Sequence, residues 1–123
     1  TFMTGHESIL IFDKNKKYDY IKSDMPPIGI VKYFTESMVK SSSINIKDKT
    51  FVVYTDGVTE GYLKNGEELG AEGVQNIISD INDITPKNIV EGIEEKLNWG
   101  AEKLRDDITC MAINIKNTDL IKK

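Results

Sequence analysis

Thr50-Phe51-Val52-Val53-Tyr54-Thr55-Asp56-Gly57-Val58-Thr59-Glu60 is the stretch on which the reading of this chain turns. Its first half, β-branched and aromatic, predicts a strand over 50–54, and its second half puts a carboxylate and a glycine where that strand ends. Another short string, Arg105-Asp106-Asp107-Ile108-Thr109, stands at the head of a second strand-like run, 108–115. If the two strands lie side by side and antiparallel, the end of the first adjoins the start of the second. Asp56 then faces Asp106 and Asp107 across one site, although the two strings are far apart in the sequence.

Working outward, Ser8-Ile9-Leu10-Ile11-Phe12 and Lys17-Tyr18-Asp19-Tyr20-Ile21 flank the turn-rich Asp13-Lys14-Asn15-Lys16, which predicts a hairpin. Pro26-Pro27-Ile28-Gly29 predicts an irregular loop, because proline cannot donate to a ladder and restricts the residue before it. Patchy alternation predicts a further strand over 36–42, and 45–49 supplies a turn. Beyond Asp56, which sits on a loop in this reading, the hydrophobic period lengthens. Val74, Ile77, Ile78 and Ile81 recur at helical spacing and predict a helix over 71–82. Thr85-Pro86 reads as an N-cap followed by proline at the first helical position. The helix it opens carries Ile89, Val90, Ile93 and Leu97 inward, with Gly100 near its end. Strands first, then two adjacent helices, then one strand is the order of an α+β fold rather than of an alternating parallel one.

At 123 residues the chain is one domain or a piece of one. Sixteen basic against twenty acidic residues give a net charge of −4, which is not the footprint of nucleic-acid binding. Cys110 is the only cysteine, so an internal disulfide and a cysteine-rich zinc site are excluded, and it reads as a small core residue. No apolar run approaches the length of a membrane helix, which predicts a soluble segment. The chain opens Thr1-Phe2-Met3-Thr4 with neither an initiator methionine nor a leader, and is expected to be cut from something longer.

A glycine beside a carboxylate permits a tight turn through which a ligand or water reaches Asp56. An Asp-Gly pair is equally a common plain turn, and only the pairing with 106–107 favours a site. Two adjacent acids ahead of a buried strand repel one another and lose hydration, which a cation or Arg105 has to offset. Hard divalent cations such as Mg²⁺ and Mn²⁺ prefer carboxylate and water oxygens and are held by few carboxylates with several waters. Two such ions roughly 3.5–4 Å apart would set a deprotonated bridging water for in-line attack on a phosphate. His6, the only histidine, cannot build a histidine-rich zinc site and reads as a hydrogen-bonded structural residue or a proton donor. Asp19, Asp24, Asp80 and Asp83 read as solvated charges. Gly66, Gly70 and Gly73 are too dispersed for a phosphate loop.

In this order the motifs resemble those of the metal-dependent (PPM) serine/threonine protein phosphatases, in particular the bacterial SpoIIE-type branch. The resemblance rests on Val53-Tyr54-Thr55-Asp56-Gly57-Val58-Thr59-Glu60, on Gly66-Glu67-Glu68-Leu69-Gly70 and on Arg105-Asp106-Asp107-Ile108-Thr109. Thr4-Gly5-His6 is similar to the family's alanine-glycine-histidine-proline segment, and Pro27-Ile28-Gly29-Ile30 to its proline-leucine-glycine segment. Glu7-Ser8 replaces the usual prolines, Leu69 the usual aromatic residue, and Asp107 stands where relatives often carry asparagine. The resemblance implies Asp56 and Asp106 as metal ligands, Gly57, Asp107 and His6 in supporting roles, and Mn²⁺ or Mg²⁺ as the cofactor, two ions in a complete domain.

The family fold that this resemblance implies is an antiparallel β-sandwich flanked by helices on both sides, an αββα arrangement. Nothing here matches the aspartate-glycine and glycine-histidine-glycine segments of the family's first half, so a partial domain is expected. Residues 1–116 would be the C-terminal part of the phosphatase domain and 117–123 a tail. The implied function is metal-dependent hydrolysis of phosphoserine or phosphothreonine on a regulatory protein, such as an anti-sigma-factor antagonist in bacterial stress or sigma-factor signalling. The complete protein would perform it, this chain alone being inert. The partners expected are that phosphoprotein and a second copy meeting at exposed strand edges, with no nucleic acid and no membrane contact. A cytoplasmic location follows, any anchor lying upstream. Two other readings compete. One is a non-catalytic interaction module of the same fold, which the presence of both aspartates argues against. The other is a receiver domain phosphorylated on Asp56, whose alternating strands and helices the hairpin-rich first half does not resemble.

Overall fold

The computed structural model describes residues 8–22, 29–30, 32–33, 35–38, 43–97 and 107–116. Within them the chain forms β1 (Ile9–Phe12), β2 (Tyr18–Ile21), β3 (Lys49–Tyr54), α1 (Asp56–Thr59), α2 (Gly70–Asp80), α3 (Pro86–Lys96) and β4 (Cys110–Ile115). All strand pairings are antiparallel, in the order β2-β1-β3-β4. This is an α+β fold. The second sheet of a sandwich is not among the described residues, which amount to one sheet and one helical layer.

The β1–β2 hairpin closes as its composition predicts. Asp13 accepts the backbone N–H groups of Asn15 at 2.8 Å and Lys17 at 3.0 Å through Oδ1, and its own N–H donates to the Lys17 carbonyl at 2.9 Å. An aspartate that binds its own following backbone is a common turn former. Lys16 completes the turn at φ 63° and donates its ammonium to the Ser79 carbonyl at 2.9 Å, tying the hairpin to the last turn of α2.

Residues paired across the strands share a face of the sheet. One face carries Leu10 and Phe12, Val52 and Tyr54, and on β4 Cys110 and Ala112. Val58, Leu69, Val74, Ile77, Ile78, Ile89, Ile93 and Leu97 pack against it and complete the core. Burying each of the larger side chains contributes about 1.5–3 kcal/mol before the loss of conformational entropy is counted. At one end of this face Thr50, 4% exposed, accepts the Asn114 amide at 2.7 Å. The opposite face, with Ile9, Ile11, Phe51, Val53, Met111 and Ile113, is apolar too, yet Met111 and Ile113 are 52% and 43% exposed.

The two long helices follow the predicted periodicity, and α2 buries Val74, Ile77 and Ile78. Thr85 caps α3, accepting the Asn88 N–H at 3.2 Å, with Pro86 at the first position. The helix ends at Lys96 because Leu97 turns into an extended bridge with Leu63. Gly100 and the 117–123 tail lie outside the described residues, as do residues 26–28 of the proline loop.

Three expectations are corrected. The predicted strand over 36–42 is instead a single 3₁₀ turn at Glu36–Met38, with 39–42 outside the described residues. Thr35 and Ser37 share a hydroxyl hydrogen bond at 2.9 Å there, and such local bonds compete with a ladder. The final strand begins at Cys110, not at 108. And Asp56 opens a single helical turn rather than a loop, closed by Glu60 donating to the Asp56 carbonyl at 2.8 Å.

That turn passes unusually close to the segment leading into β4. A Cβ added at Gly57 would overlap the Asp107 carbonyl oxygen and lie 2.9 Å from its carbon. Because the obstacle is backbone rather than the tip of a side chain, Gly57→Ala is expected to destabilise the chain by about 3 kcal/mol, read as a lower urea midpoint with an unchanged slope. Thr85→Ala, which removes only the cap of α3, should cost about 1 kcal/mol in the same measurement, and Thr85→Ser much less.

Candidate metal centre at the β3–β4 strand ends

β3 and β4 pair from Lys49 with Ile115 to Tyr54 with Cys110, so the end of one does adjoin the start of the other. The ladder then runs one rung further, Thr55 donating its N–H to the Thr109 carbonyl at 3.0 Å. In a regular antiparallel pair Thr109 would return the bond to the Thr55 carbonyl. That carbonyl has instead turned away to accept the Val58 N–H at 2.9 Å, opening α1. The Thr55 hydroxyl takes its place and accepts the Thr109 N–H at 3.2 Å. Its own proton points toward the carbonyls of Asp107 at 3.3 Å and Thr109 at 3.5 Å.

The substitution of side chain for backbone lets the chain leave the sheet abruptly and still satisfy the end of the ladder. Asp56 emerges as the first residue of α1, its carbonyl held by the Thr59 hydroxyl at 3.1 Å. Its side chain is exposed, and among the described residues it makes no ion pair. Below it Gly57 and Val58 are buried, Gly57 against the Asp107 carbonyl. Asp107 is exposed on the facing segment. The result is a floor of packed backbone under two segments that each present a carboxylate to solvent.

Of the residues singled out in the sequence, the structure brings together Asp56, Gly57 and Asp107. Asp106 and His6 lie outside the described residues. The expectation that the acid pair is desolvated does not hold for Asp107, which lies ahead of β4 at the rim of the sheet and not beneath the helices. Sequence reasoning does not single out Thr55, although a threonine at the end of a strand and the cap position of a helical turn is a usable signal. Its hydroxyl makes no cap bond to α1, having been diverted across the sheet.

Among the described residues no group of three or more histidine, cysteine, aspartate or glutamate side chains could hold a metal ion. The donors that are present are oxygens, as a hard cation requires, and among the described residues the exposed Asp56 carboxylate makes no ion pair. Carboxylate oxygens are the donor type that Mg²⁺ or Mn²⁺ would take, with water completing the shell. Burial pushes the Cys110 thiol up to about 11, which keeps it protonated and inert in the core, as its sequence context predicts. The surface cleft lined by Leu63, Lys64, Asn65, Glu95 and Lys96 contains none of the candidate residues. No helix among the described residues is long and apolar enough to cross a membrane.

Comparison with known proteins adds one finding. No curated protein and no solved structure matches the chain significantly. The family described as Stage II sporulation protein E (SpoIIE) matches it over residues 2–116, a span that contains both strand ends and every helix among the described residues. With the family covering nearly the whole sequence and the antiparallel sheet bringing its two acidic strings together, the chain belongs to the SpoIIE family and is part of a phosphatase-type domain.

Proposed function

We propose that the complete protein is a metal-dependent phosphatase that hydrolyses phosphoserine or phosphothreonine on a regulatory phosphoprotein, and that Asp56 and Asp106 are ligands to its metal. The observation that supports this most is the extra rung beyond β3 and β4, which draws the Asp56 turn and the Asp107 segment against one another. Asp56 would hold a Mn²⁺ or Mg²⁺ ion through its exposed carboxylate, and Asp106, the neighbour of Asp107, would hold it from the other segment. Gly57 keeps the gap between the two segments narrow. Such an ion, when bound, supplies a water of lowered pKa and neutralises charge on the phosphoryl oxygens. Thr55 and Gly57 hold the Asp56 turn against residues 107–109, next to Asp106 in the sequence.

The substrate in this reading is a phosphorylated signalling protein of the anti-sigma-factor-antagonist kind, in bacterial sigma-factor control. The chain by itself would be inert and bind Mn²⁺ weakly, since two carboxylates offset little of the cost of dehydrating the ion. The receiver reading is disfavoured on a separate ground. Its phosphoacceptor stands at the end of a parallel strand in an alternating fold, whereas the strand before Asp56 has antiparallel neighbours on both sides.

In the complete domain, Asp56→Asn and Asp106→Asn should each lower Mn²⁺-dependent turnover of a phosphopeptide by about 10²-fold or more, with an unchanged circular dichroism spectrum. Near-normal turnover in both variants, still dependent on Mn²⁺, would overturn the ligand assignment. Incubating the chain with acetyl phosphate and Mg²⁺ should leave Asp56 unmodified by mass spectrometry, and a stoichiometric adduct there would favour the receiver.

A further inference from the structure

The hydroxyl of Thr55 is in an unusual position for a residue at the start of a helical turn. A threonine there ordinarily accepts an N–H from its own helix. Here it accepts the Thr109 N–H, 3.2 Å away on the other segment, and faces the Asp107 carbonyl at 3.3 Å. Its backbone N–H binds the same segment through the Thr109 carbonyl. Three polar atoms of residues 107–109 are thus engaged by one residue next to Asp56. Gly57, on the other side of Asp56, presses on the Asp107 carbonyl from within.

We infer that Thr55 is a positioning residue for the metal site, its hydroxyl setting the separation between the Asp56 turn and residues 107–109. The inference rests on the ligand assignment proposed above. The physical reason is that Asp56 and Asp107 both stand outside the ladder, on a four-residue helical turn and on a segment ahead of the strand. A metal tolerates little variation in ligand separation, and groups that orient the ligands are worth about 10–100-fold in affinity. Valine, which copies the shape of threonine without the hydroxyl, leaves the Thr109 N–H without its acceptor and the Asp107 carbonyl without its donor. Of the hydrogen bonds that Thr55 makes to the facing segment, the one from its N–H to the Thr109 carbonyl then remains.

The test uses the complete domain and Mn²⁺ itself as the probe. Thr55→Val should raise the calorimetric Kd for Mn²⁺ by about tenfold or more, while Thr55→Ser stays within about threefold of the unaltered protein. Phosphatase turnover of Thr55→Val should recover at high Mn²⁺, because the defect lies in holding the ion. Amide hydrogen exchange at Thr109 should quicken in Thr55→Val without Mn²⁺, with exchange at Val52 in mid-strand unchanged. Asp56→Asn is the control that separates the two ideas. If it leaves Mn²⁺ affinity intact, the ligand assignment itself has failed. If it abolishes binding while Thr55→Val binds Mn²⁺ normally, the positioning role alone is overturned. Should Thr55→Val not fold, the serine variant decides: retained affinity supports the hydroxyl, and a loss as large as that of a ligand variant refutes it.

Discussion

The antiparallel pairing of β3 with β4 is the constraint on which the rest of this structure depends. It brings together two acidic strings that the sequence holds far apart, and it does so at the rim of the sheet, where side chains can reach solvent. The same pairing fixes which residues face the helices. Val52 and Tyr54 look inward because Ala112 and Cys110 stand opposite them. With a side-chain period of two, a slip of one residue would turn Phe51 and Val53 into the core and shift the strand ends past one another. Packing of the core and alignment of the acids are therefore one requirement, met by one register.

Catalytic sites at the ends of strands need the chain to leave the sheet sharply without orphaning the last polar groups of the ladder. This chain meets that need with two small residues on either side of one aspartate. Thr55 supplies a hydroxyl where its carbonyl has turned away, and Gly57 removes the Cβ that would keep the turn at arm's length. The cost of leaving the Thr109 N–H bare would be about 1–3 kcal/mol in a buried setting and less at this rim. What the hydroxyl contributes is chiefly geometry. The phosphatase-type domain is shown by family membership, and the hydrogen bonds show how the chain is folded around Asp56 within it.

Much of the fold was legible in the sequence where one strong periodicity acted alone. The alternation of β3, the helical spacing of Val74, Ile77 and Ile78, and the Thr85-Pro86 cap all express local physics that tertiary contacts reinforce. The failures have equally local causes. At Glu36–Met38 the chain closes a single turn, with the Thr35 and Ser37 hydroxyls bonded to each other rather than alternating across a sheet. The turn at Asp56 was hidden because a helix of four residues leaves no period to detect. The bridge of Leu63 to Leu97 joins segments whose pairing no local pattern announces. At the site, the types of the acids were readable, and so was the antiparallel arrangement that joins their segments. The role of Thr55 was not, since a hydroxyl that crosses the sheet is chemically identical to one that caps its own turn.

The last rung of a β-ladder is also where a sheet comes apart first. Amides in the middle of β3 are shielded on both sides by neighbours, but the Thr55–Thr109 rung has a ladder on one flank only. Local opening there needs far less free energy than unfolding of the core. A ligand gripping both segments would have to suppress that opening, and part of its binding energy would go into doing so. Occupancy and order at this corner are then linked in both directions. Anything that stiffens the start of β4, even from the exposed apolar face of Met111 and Ile113, would favour a ligand that grips both segments, and anything that loosens it would disfavour one.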